Sequence, residues 1–280
     1  MPTLNDTSTW LYIYICMYVC IPGPRTNPCM HTSTLLNALL HEVRTGRVSM
    51  RPPSAMASTS SSSVSLRPTH FLALRLGSPA LHAHVAELQR AVIARAPLLS
   101  DCAVPPLKSH LTAFVLHAAD EEAVSAAAEA LDNCRPLATA YFADTPPHVQ
   151  LRGLSSFGRN VLYADVVPDD NTERLRAFII AVAKEFVACG VLSDRAHKAW
   201  TPHLTLLKTS RAKGHKGRRA LAIRPQDWAA LKSEADLGTH PLPTLALCSM
   251  AGQQPDGYYV EVSKIPLIGH GSIDDGGGVM

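Results

Sequence analysis

One tripeptide, His-Leu-Thr, occurs twice in this chain of 280 residues, at positions 110–112 and 203–205. Both copies continue into apolar residues, and the second follows Pro202, whose ring biases the residue before it toward an extended backbone. Short apolar runs that contain a β-branched Thr favour a strand over a helix. Because residues two apart in a strand share a face, each copy is predicted to place its His and Thr on one surface and its Leu in a core.

The repeated tripeptide has two interpretations: two unrelated surface histidines, or two halves of one site. The chain has 13 His, and about one His-x-Thr is expected by chance at such a composition. Both matches are the same tripeptide in a strand-like context, and no other His has Thr two positions later. We therefore interpret His110 with Thr112, and His203 with Thr205, as two imidazole–hydroxyl pairs of one site.

The composition fits one large domain with a substantial core, at 46% hydrophobic and 18% charged residues. A net charge of +3 is compatible with an anionic ligand but is far below the basic excess that announces nucleic-acid binding. The seven Cys include no Cys-x-x-Cys pair, so neither a zinc site nor a redox motif is predicted. We interpret them as reduced thiols of an intracellular protein, cytoplasmic or nuclear.

Residues 1–67 differ in composition from the rest of the chain. Their apolar run at 10–21 is too short to cross the ~30 Å hydrocarbon layer, so no membrane partner is expected. Between residues 25 and 75 the only acid is Glu42, amid several Arg and a Ser tract, which resembles an organelle transit peptide. Equally, Met56 can serve as a start and the preceding residues as a disordered extension. In either case no packed core is expected before Thr69.

The segment 68–266 is predicted to be one domain, followed by a flexible Gly-rich tail at 267–280. Two parts of it each contain strands, a helix and a His-Leu-Thr strand, so we predict two similar α+β lobes that bring the pairs into one cleft. Residues 153–160 are predicted to be a glycine-bearing connector between two strands, and Gly190 a left-handed helix cap. The predicted strands are 70–76, 109–116, 149–151, 161–166, 200–208, 244–250 and 258–262. The predicted helices begin at Pro79, at Asp120, near Thr172 and near Asp227.

A run of basic residues without an acid begins directly after the second His-Leu-Thr strand. It is predicted to be a mobile loop, which is either a solvated surface or a site for phosphate steering or nuclear import. Its members are Lys208, Arg211, Lys213, Lys216, Arg218 and Arg219.

Two His-Thr pairs suit phosphodiester cleavage. Histidine exchanges protons near neutrality, so a neutral imidazole can accept a proton from the attacking hydroxyl or water while an imidazolium donates one to the departing oxygen. Thr hydroxyls can donate to the phosphate oxygens as charge builds there. Neither His has a cluster of Asp or Glu near it in sequence, so we predict neither a metal nor any other cofactor.

Several spaced motifs resemble those of the 2H phosphoesterase superfamily of 2′-5′ RNA ligase-like proteins, and within it the nuclear-localisation-signal domains of the A-kinase anchoring protein 7 type. They are the two His-x-Thr strands, the segments 153–158 and 202–205, and the segments 247–250 and 256–259. The resemblance implies an α+β bilobal fold, with two pseudo-symmetric lobes of antiparallel sheet plus helices around a central cleft. It also implies metal-independent action on 2′-linked or cyclic nucleotide phosphodiesters, with His110 and His203 catalytic and Thr112 and Thr205 binding phosphate.

Four further residues are predicted to contact a nucleotide or RNA substrate, through base stacking or phosphate contact. They are Phe157, Arg159, Tyr258 and Lys208. For Phe157 and Tyr258 a core position is the alternative, and for Lys208 a solvated one. The chain after Val262 has no apolar helical stripe, so no kinase regulatory subunit is expected as a partner, and nothing indicates an oligomer. The competing functional hypothesis is a non-catalytic module that binds a nucleotide or RNA within a larger assembly.

Overall fold

The structure is a computed structural model that describes residues 67–193, 200–212 and 221–267. The predictions for residues 1–66, for positions 213–219 of the basic run and for the tail after residue 267 lie outside the described residues. No helix within the described ranges is long and apolar enough to cross a membrane.

The described residues form eight strands and five α-helices, in the order β1-α1-β2-α2-α3-β3-β4-α4-β5-α5-β6-β7-β8. The strands are β1 (His70–Arg75), β2 (His110–Leu116), β3 (His148–Phe157), β4 (Val161–Val166), β5 (His203–Lys208), β6 (Asp236–Pro241), β7 (Thr244–Ser249) and β8 (Val260–Pro266). The helices are α1 (Pro79–Arg95), α2 (Glu121–Asp132), α3 (Arg135–Phe142), α4 (Asp170–Ala188) and α5 (Pro225–Trp228). Short 3-10 turns lie at Pro97–Cys102, Pro106–Lys108, Thr209–Arg211 and Ala229–Leu231.

The eight strands make one sheet in the order β6-β3-β4-β5-β2-β1-β7-β8, and every pairing in it is antiparallel. The predicted α+β class with antiparallel sheet is therefore confirmed. β2 and β5, the two strands that carry His-Leu-Thr, are neighbours at the centre. Counted outward from the centre, one half of the sheet is β2, β1, β7 and β8, and the other half is β5, β4, β3 and β6. We call them the His110 half and the His203 half.

The helices cover one face of the sheet and leave the other to the site. Leu72, Leu111 and Leu204 belong to the main core with the apolar sides of α1, α2 and α4. A smaller cluster on the opposite face contains Phe71 and Tyr258. This division follows from the alternation of side chains along a strand, which sends successive residues to opposite faces.

Helix ends agree with the sequence signals. Ser78 caps α1 through its hydroxyl, with Pro79 at the first helical position. Asp169 caps α4, and Gly190 after that helix has a φ of 73°, the left-handed conformation that glycine adopts without strain. The predicted first and third helices are therefore confirmed, as is the left-handed cap predicted at Gly190.

The structure differs from the predicted local structure in three details. The predicted connector 153–160 does join an antiparallel hairpin through a glycine-bearing turn, which contains Gly158, but it is mostly strand: β3 continues to Phe157 and only three residues turn before β4. Gly153 is not a loop glycine; it lies at an irregularity in the β3–β4 pairing with a φ of 88°. The predicted helix 227–234 is one short turn of α-helix, Pro225–Trp228, followed by a 3-10 turn.

Two elements had no prediction, α3 and β6. β6 contains Gly238 and ends at Pro241, both poor strand formers, and it is an edge strand that pairs with β3 alone. α3 is only 8 residues long and starts with Arg135-Pro136 directly after α2, so its apolar stripe is too short to stand out.

Candidate active site

The two His-Leu-Thr strands pair with each other through Leu111 and Leu204, which lie opposite one another and are 0% and 1% exposed. Both Leu therefore point into the core, and their neighbours point to the other face. Antiparallel register then sets His110 beside Thr205 and His203 beside Thr112 on that face. The structure thus brings together the four residues that the sequence predicted to be one site.

A β-bulge changes the face of residues further along β5. In the pairing with β4, Leu206 is an extra residue between Thr205 and Leu207. An extra residue shifts the alternation of side chains by one position. Lys208 therefore shares the face of His203 and Thr205, whereas strict alternation along the strand would place it on the opposite face.

The same bulge occurs at the matching place in β2. Ala113 is the extra residue between Thr112 and Phe114 in the pairing with β1. Val115 therefore returns to the face of His110, at the position that Lys208 occupies in the His203 half.

A buried amide holds the bulge of β5. Gln89 of α1 is 5% exposed, and its Nε2 donates to the carbonyl of Leu206 at 2.8 Å and to that of Val104 at 2.6 Å. The backbone N–H of Val104 donates to the same Leu206 carbonyl at 2.9 Å. Sequence reasoning missed this residue; the signal was a polar side chain on the apolar stripe of α1 between Val85 and Val92.

Both imidazoles have one nitrogen held by the backbone. Nδ1 of His110 donates to the carbonyl of Lys108 at 2.7 Å, and Nδ1 of His203 donates to the carbonyl of Thr201 at 2.9 Å. These bonds set the tautomer and leave Nε2 of each ring for proton transfer. In the His110 half the hydroxyl of Thr112 donates to Nε2 at 3.1 Å.

Aromatic rings surround His110. Its ring centroid lies 5.1 Å from that of Phe71, 5.6 Å from that of Tyr259 and 6.4 Å from that of Tyr258. This burial is the main reason that the pKa of His110 is lowered to about 4, with smaller lowering by His203 and Lys208 and an opposing effect of the Lys108 carbonyl. His110 is therefore neutral at neutral pH.

His203 also has aromatic neighbours. Phe157 meets it edge-on with centroids 4.8 Å apart, and Tyr163 lies 5.1 Å away. Burial lowers the pKa of His203, and Lys208 lowers it further, whereas the Thr201 carbonyl and the Asp165 carboxylate raise it.

A carboxylate faces one histidine and a guanidinium faces the other. Asp165 of β4 is opposite His203 in the sheet, and Arg75 of β1 is opposite His110. Asp165 accepts a hydrogen bond from the Ser155 hydroxyl at 2.8 Å. Arg75 is neutralised by Asp256 at 2.5 Å. Sequence reasoning missed Asp165, since nothing in the strand 161–166 indicates which residue it will face.

Gly153 leaves room for this carboxylate. A Cβ at Gly153 would lie 3.4 Å from Oδ2 of Asp165, and the φ of 88° is strained for any other residue. The glycine thus allows β3 to pass close beside Asp165.

A family model described as "AKAP7 2'5' RNA ligase-like domain" matches residues 68–267. The chain belongs to this family. The resemblance that the spaced sequence motifs predicted is thereby confirmed, and membership indicates a 2H phosphoesterase, 2′-5′ RNA ligase-like activity.

Solved structures similar to this chain include bacterial proteins. TT0787 of Thermus thermophilus is 21% identical, with 72% of this chain and 100% of that chain covered and a TM-score of 0.44. LigT of E. coli complexed with NADP+ is 14% identical, with 72% and 98% covered and a TM-score of 0.43. LigT of E. coli complexed with 3'-AMP is 13% identical, with 71% and 97% covered and a TM-score of 0.43.

The AKAP7-like domain brings two of the four predicted substrate contacts to the His pairs. Phe157 is half-buried, with one side against Tyr163 at 4.3 Å and its ring beside His203. Lys208 is half-buried on the His203 face, and burial together with Arg211 lowers its pKa.

The other two predicted contacts lie elsewhere. Arg159 is exposed at the β3–β4 turn, where its backbone carbonyl accepts from the N–H of Ile223. Tyr258 is 0% exposed beneath Arg75, whose guanidinium lies 4.2 Å above its ring. The predicted ligand contact of Tyr258 is therefore corrected: its ring forms a wall behind His110, and the neighbouring Tyr259 is the partly exposed ring.

No group of three or more His, Cys, Asp or Glu in residues 67–193, 200–212 and 221–267 could hold a metal ion. Metal independence of the domain stays a prediction, which activity in the presence of a chelator tests.

Proposed function

We propose that this protein is a metal-independent phosphodiesterase that acts on 2′-5′-linked oligonucleotides, 2′,3′-cyclic phosphates or related RNA ends. The observation that supports it is the pair His110 and His203 on adjacent strands of one face, each with Nδ1 bound to a backbone carbonyl and Nε2 available. A phosphodiester between the two rings meets a proton acceptor on one side and a proton donor on the other.

In the proposed mechanism His110 is the general base. Its lowered pKa keeps it neutral, so Nε2 can accept the proton of an attacking water or ribose hydroxyl as the new P–O bond forms. The Thr112 hydroxyl, which donates to Nε2 in the free protein, turns to a non-bridging phosphate oxygen when substrate binds, and Thr205 does the same from β5.

His203 is the general acid in the same mechanism. Burial lowers the pKa of His203, and Asp165 opposite it counteracts part of that lowering. In the proposed reactive form this ring carries the proton, and Nε2 gives it to the departing oxygen as the old P–O bond breaks. Exchange of one proton with solvent then restores both rings. Each such proton transfer contributes a rate factor of about 10²–10⁴.

Lys208 and Phe157 supply binding in this proposal. The Lys208 ammonium acts on both His110 and His203, so it lies close enough to attract the phosphate between them. Phe157 offers the ring face that is not covered by Tyr163 to a base of the substrate.

The test is a substrate panel on the full-length protein in the presence of EDTA, with 2′-5′ dinucleotides, 3′-5′ dinucleotides and 2′,3′-cyclic nucleotides. At least one substrate should be cleaved, and His110→Ala and His203→Ala should each abolish most of that activity. His84→Ala, at an exposed position of α1, is the matched control and should retain it. An untouched panel, or full activity in both site variants, would contradict the proposal.

A non-catalytic module that binds a nucleotide or RNA is the second candidate. It is favoured by Lys108, Lys208 and Arg211, which lie near one another on one side of the site, because such cations bind phosphate without any proton transfer. Salt-sensitive binding of the same panel without turnover would support this candidate against the enzyme.

A further inference from the structure

Three cations lie near the His110 ring and its neighbour Tyr259. The Tyr259 ring contacts His110 edge-on at 5.6 Å between centroids, and the Lys108 ammonium lies over the Tyr259 ring at 4.5 Å. Arg211 acts electrostatically on Tyr259, on Lys108 and on Lys208. We call Lys108, Lys208 and Arg211 the cation cluster.

Each member of the cation cluster is held by the fold. Lys108 lies in a 3-10 turn, and its carbonyl accepts from Nδ1 of His110, so the residue cannot move away from the histidine. Arg211 donates from Nε to the carbonyl of Ala103 at 2.9 Å. Lys208 is turned onto this face by the β5 bulge, which Gln89 stabilises. The fold therefore holds all three cations in place at the edge of the site.

The cation cluster is not paired with a carboxylate by any salt bridge in the described part of the chain. None of its three members forms a salt bridge there, although Arg75 and Lys264 both do. Burial lowers the pKa of both lysines, and Arg211 lowers it further, as expected for like charges held near one another. Nη1 and Nη2 of Arg211 have no hydrogen bond within the described ranges.

The cation cluster exists on only one side of the pseudo-symmetric site. When the two bulges are aligned, Val115 corresponds to Lys208, and by the same sequence offset Ala118 corresponds to Arg211. Thr201, whose carbonyl holds His203 as Lys108 holds His110, replaces Lys108. Lys208 lies close enough to both histidines to serve the phosphate between them. The two further cations beside it, Lys108 and Arg211, therefore indicate a second anion.

We propose that Lys108 and Arg211, beside the Lys208 that serves the first phosphate, form a second phosphate subsite, which binds a phosphate one nucleotide away from the phosphate between the histidines. Its kinetic consequence rests on the proposed function. The enzyme is expected to prefer a substrate with an additional phosphate over a dinucleoside monophosphate, whether that phosphate is at an end of the substrate or is the next internucleotide phosphate. Two charged donors around one phosphate are the arrangement in which charge-assisted hydrogen bonds are strongest.

The kinetic arm measures kcat/KM on the full-length protein for the best dinucleotide of the panel in four forms. These are the plain dinucleotide, the 5′-phosphorylated one, the one with a phosphate on its other end, and the trinucleotide. The proposal expects one phosphorylated form, or the trinucleotide, to be cleaved about tenfold more efficiently, because a charge-assisted contact contributes on the order of a factor of ten. The two terminal forms and the trinucleotide separate a terminal phosphate from an internucleotide one.

The variants are Lys108→Met and Arg211→Met, with Lys108→Arg as the conservative substitution. Each Met variant should lower the ratio of kcat/KM with and without the added phosphate to near one, and Lys108→Arg should restore it. Lys184→Met removes the same charge from an exposed position of α4 and should leave the ratio at the wild-type value. A ratio that stays high in both Met variants, or falls equally in Lys184→Met, overturns the proposal.

The binding arm needs no turnover. Calorimetry compares adenosine 3′,5′-bisphosphate with adenosine 3′-monophosphate and adenosine 5′-monophosphate on the wild type and the same variants. Tighter binding of the bisphosphate that depends on Lys108 and Arg211 supports the subsite even if no substrate is cleaved, in which case only the proposed function fails. If the protein cleaves its substrate but neither kcat/KM nor binding depends on the added phosphate, the subsite is overturned and the proposed function remains intact.

Discussion

The His110 half and the His203 half share a backbone plan and differ in charge. In both, a histidine donates from Nδ1 to the carbonyl two residues earlier, and a one-residue bulge follows the Thr. The residue opposite the histidine differs: Arg75, neutralised by Asp256, in one half and Asp165 in the other.

This comparison separates what holds the histidines from what makes them unequal. The hydrogen bonds to the backbone and the bulges are common to both halves, so they fix position and tautomer for either role. The charged neighbours are not common, so they shift the two pKa values differently, on top of the burial that lowers both. A site with the same backbone arrangement around both histidines and different charged residues beside them is therefore suited to a reaction that needs one base and one acid.

The largest expected effect comes from removal of either histidine. His110→Ala and His203→Ala should each lower kcat by about 10²–10⁴-fold, because each removes one proton transfer. The double variant should be little worse than the worse single one, since the two act in one step. Steady-state kinetics on the panel substrate checks this. If one of these two single variants kept its activity while the other lost it, the two halves would not both contribute a proton transfer.

Replacement of Lys208 by its counterpart in the other half is the next largest effect. Lys208→Val makes the His203 half resemble the His110 half at Val115, and we expect a loss of about 10–100-fold in kcat/KM from the missing charge-assisted contact. Lys264→Val removes a lysine from the exposed side of edge strand β8 and is the control. Equal activity of Lys208→Val and wild type would mean that this asymmetry has no part in catalysis.

A change at Gln89 tests whether the bulge of β5 is held from the core. Gln89→Leu leaves the Val104 carbonyl without its amide donor, and should lower the free energy of unfolding by about 1–3 kcal/mol, the usual cost of a buried unsatisfied polar group. Urea unfolding measures it. Glu87→Leu, on the exposed side of the same helix, should leave the free energy of unfolding within about 0.5 kcal/mol of wild type.

The smallest expected effect concerns the carboxylate opposite His203. Asp165 raises the pKa of His203, so Asp165→Asn should lower it, and the imidazolium should then be lost at lower pH. The alkaline limb of the pH profile of kcat/KM therefore moves to lower pH, with about a tenfold loss above that limb for a shift of one unit. The acid limb, which reports His110 with its pKa of about 4, should stay in place.

Asp144→Asn, at an exposed position before β3, is the control for this profile and should leave both limbs unchanged. An alkaline limb that does not move in Asp165→Asn would show that the field of the His203 half does not depend on Asp165. Movement of both limbs together would indicate that the two histidines titrate as one coupled pair.

Much of the fold could be predicted because its signals are local. The strand of His203, the helix begun at Pro79 and the cap at Gly190 each depend on a few consecutive residues. β6 and the continuation of β3 through Gly153 could not be predicted, because glycine and proline oppose a strand locally and only pairing with neighbours overrides that preference. The burial of Tyr258 likewise depends on Arg75, which lies far from it in sequence.

The sequence by itself determined that His110, Thr112, His203 and Thr205 stand in two equivalent strands, and it determined the family. Only the tertiary structure decided that these strands are neighbours, that Lys208 turns to the face of His203 and that Asp165 stands opposite that ring. The physical reason is that side-chain alternation is a property of one strand, whereas register and bulges are set by the strands and helices packed against it.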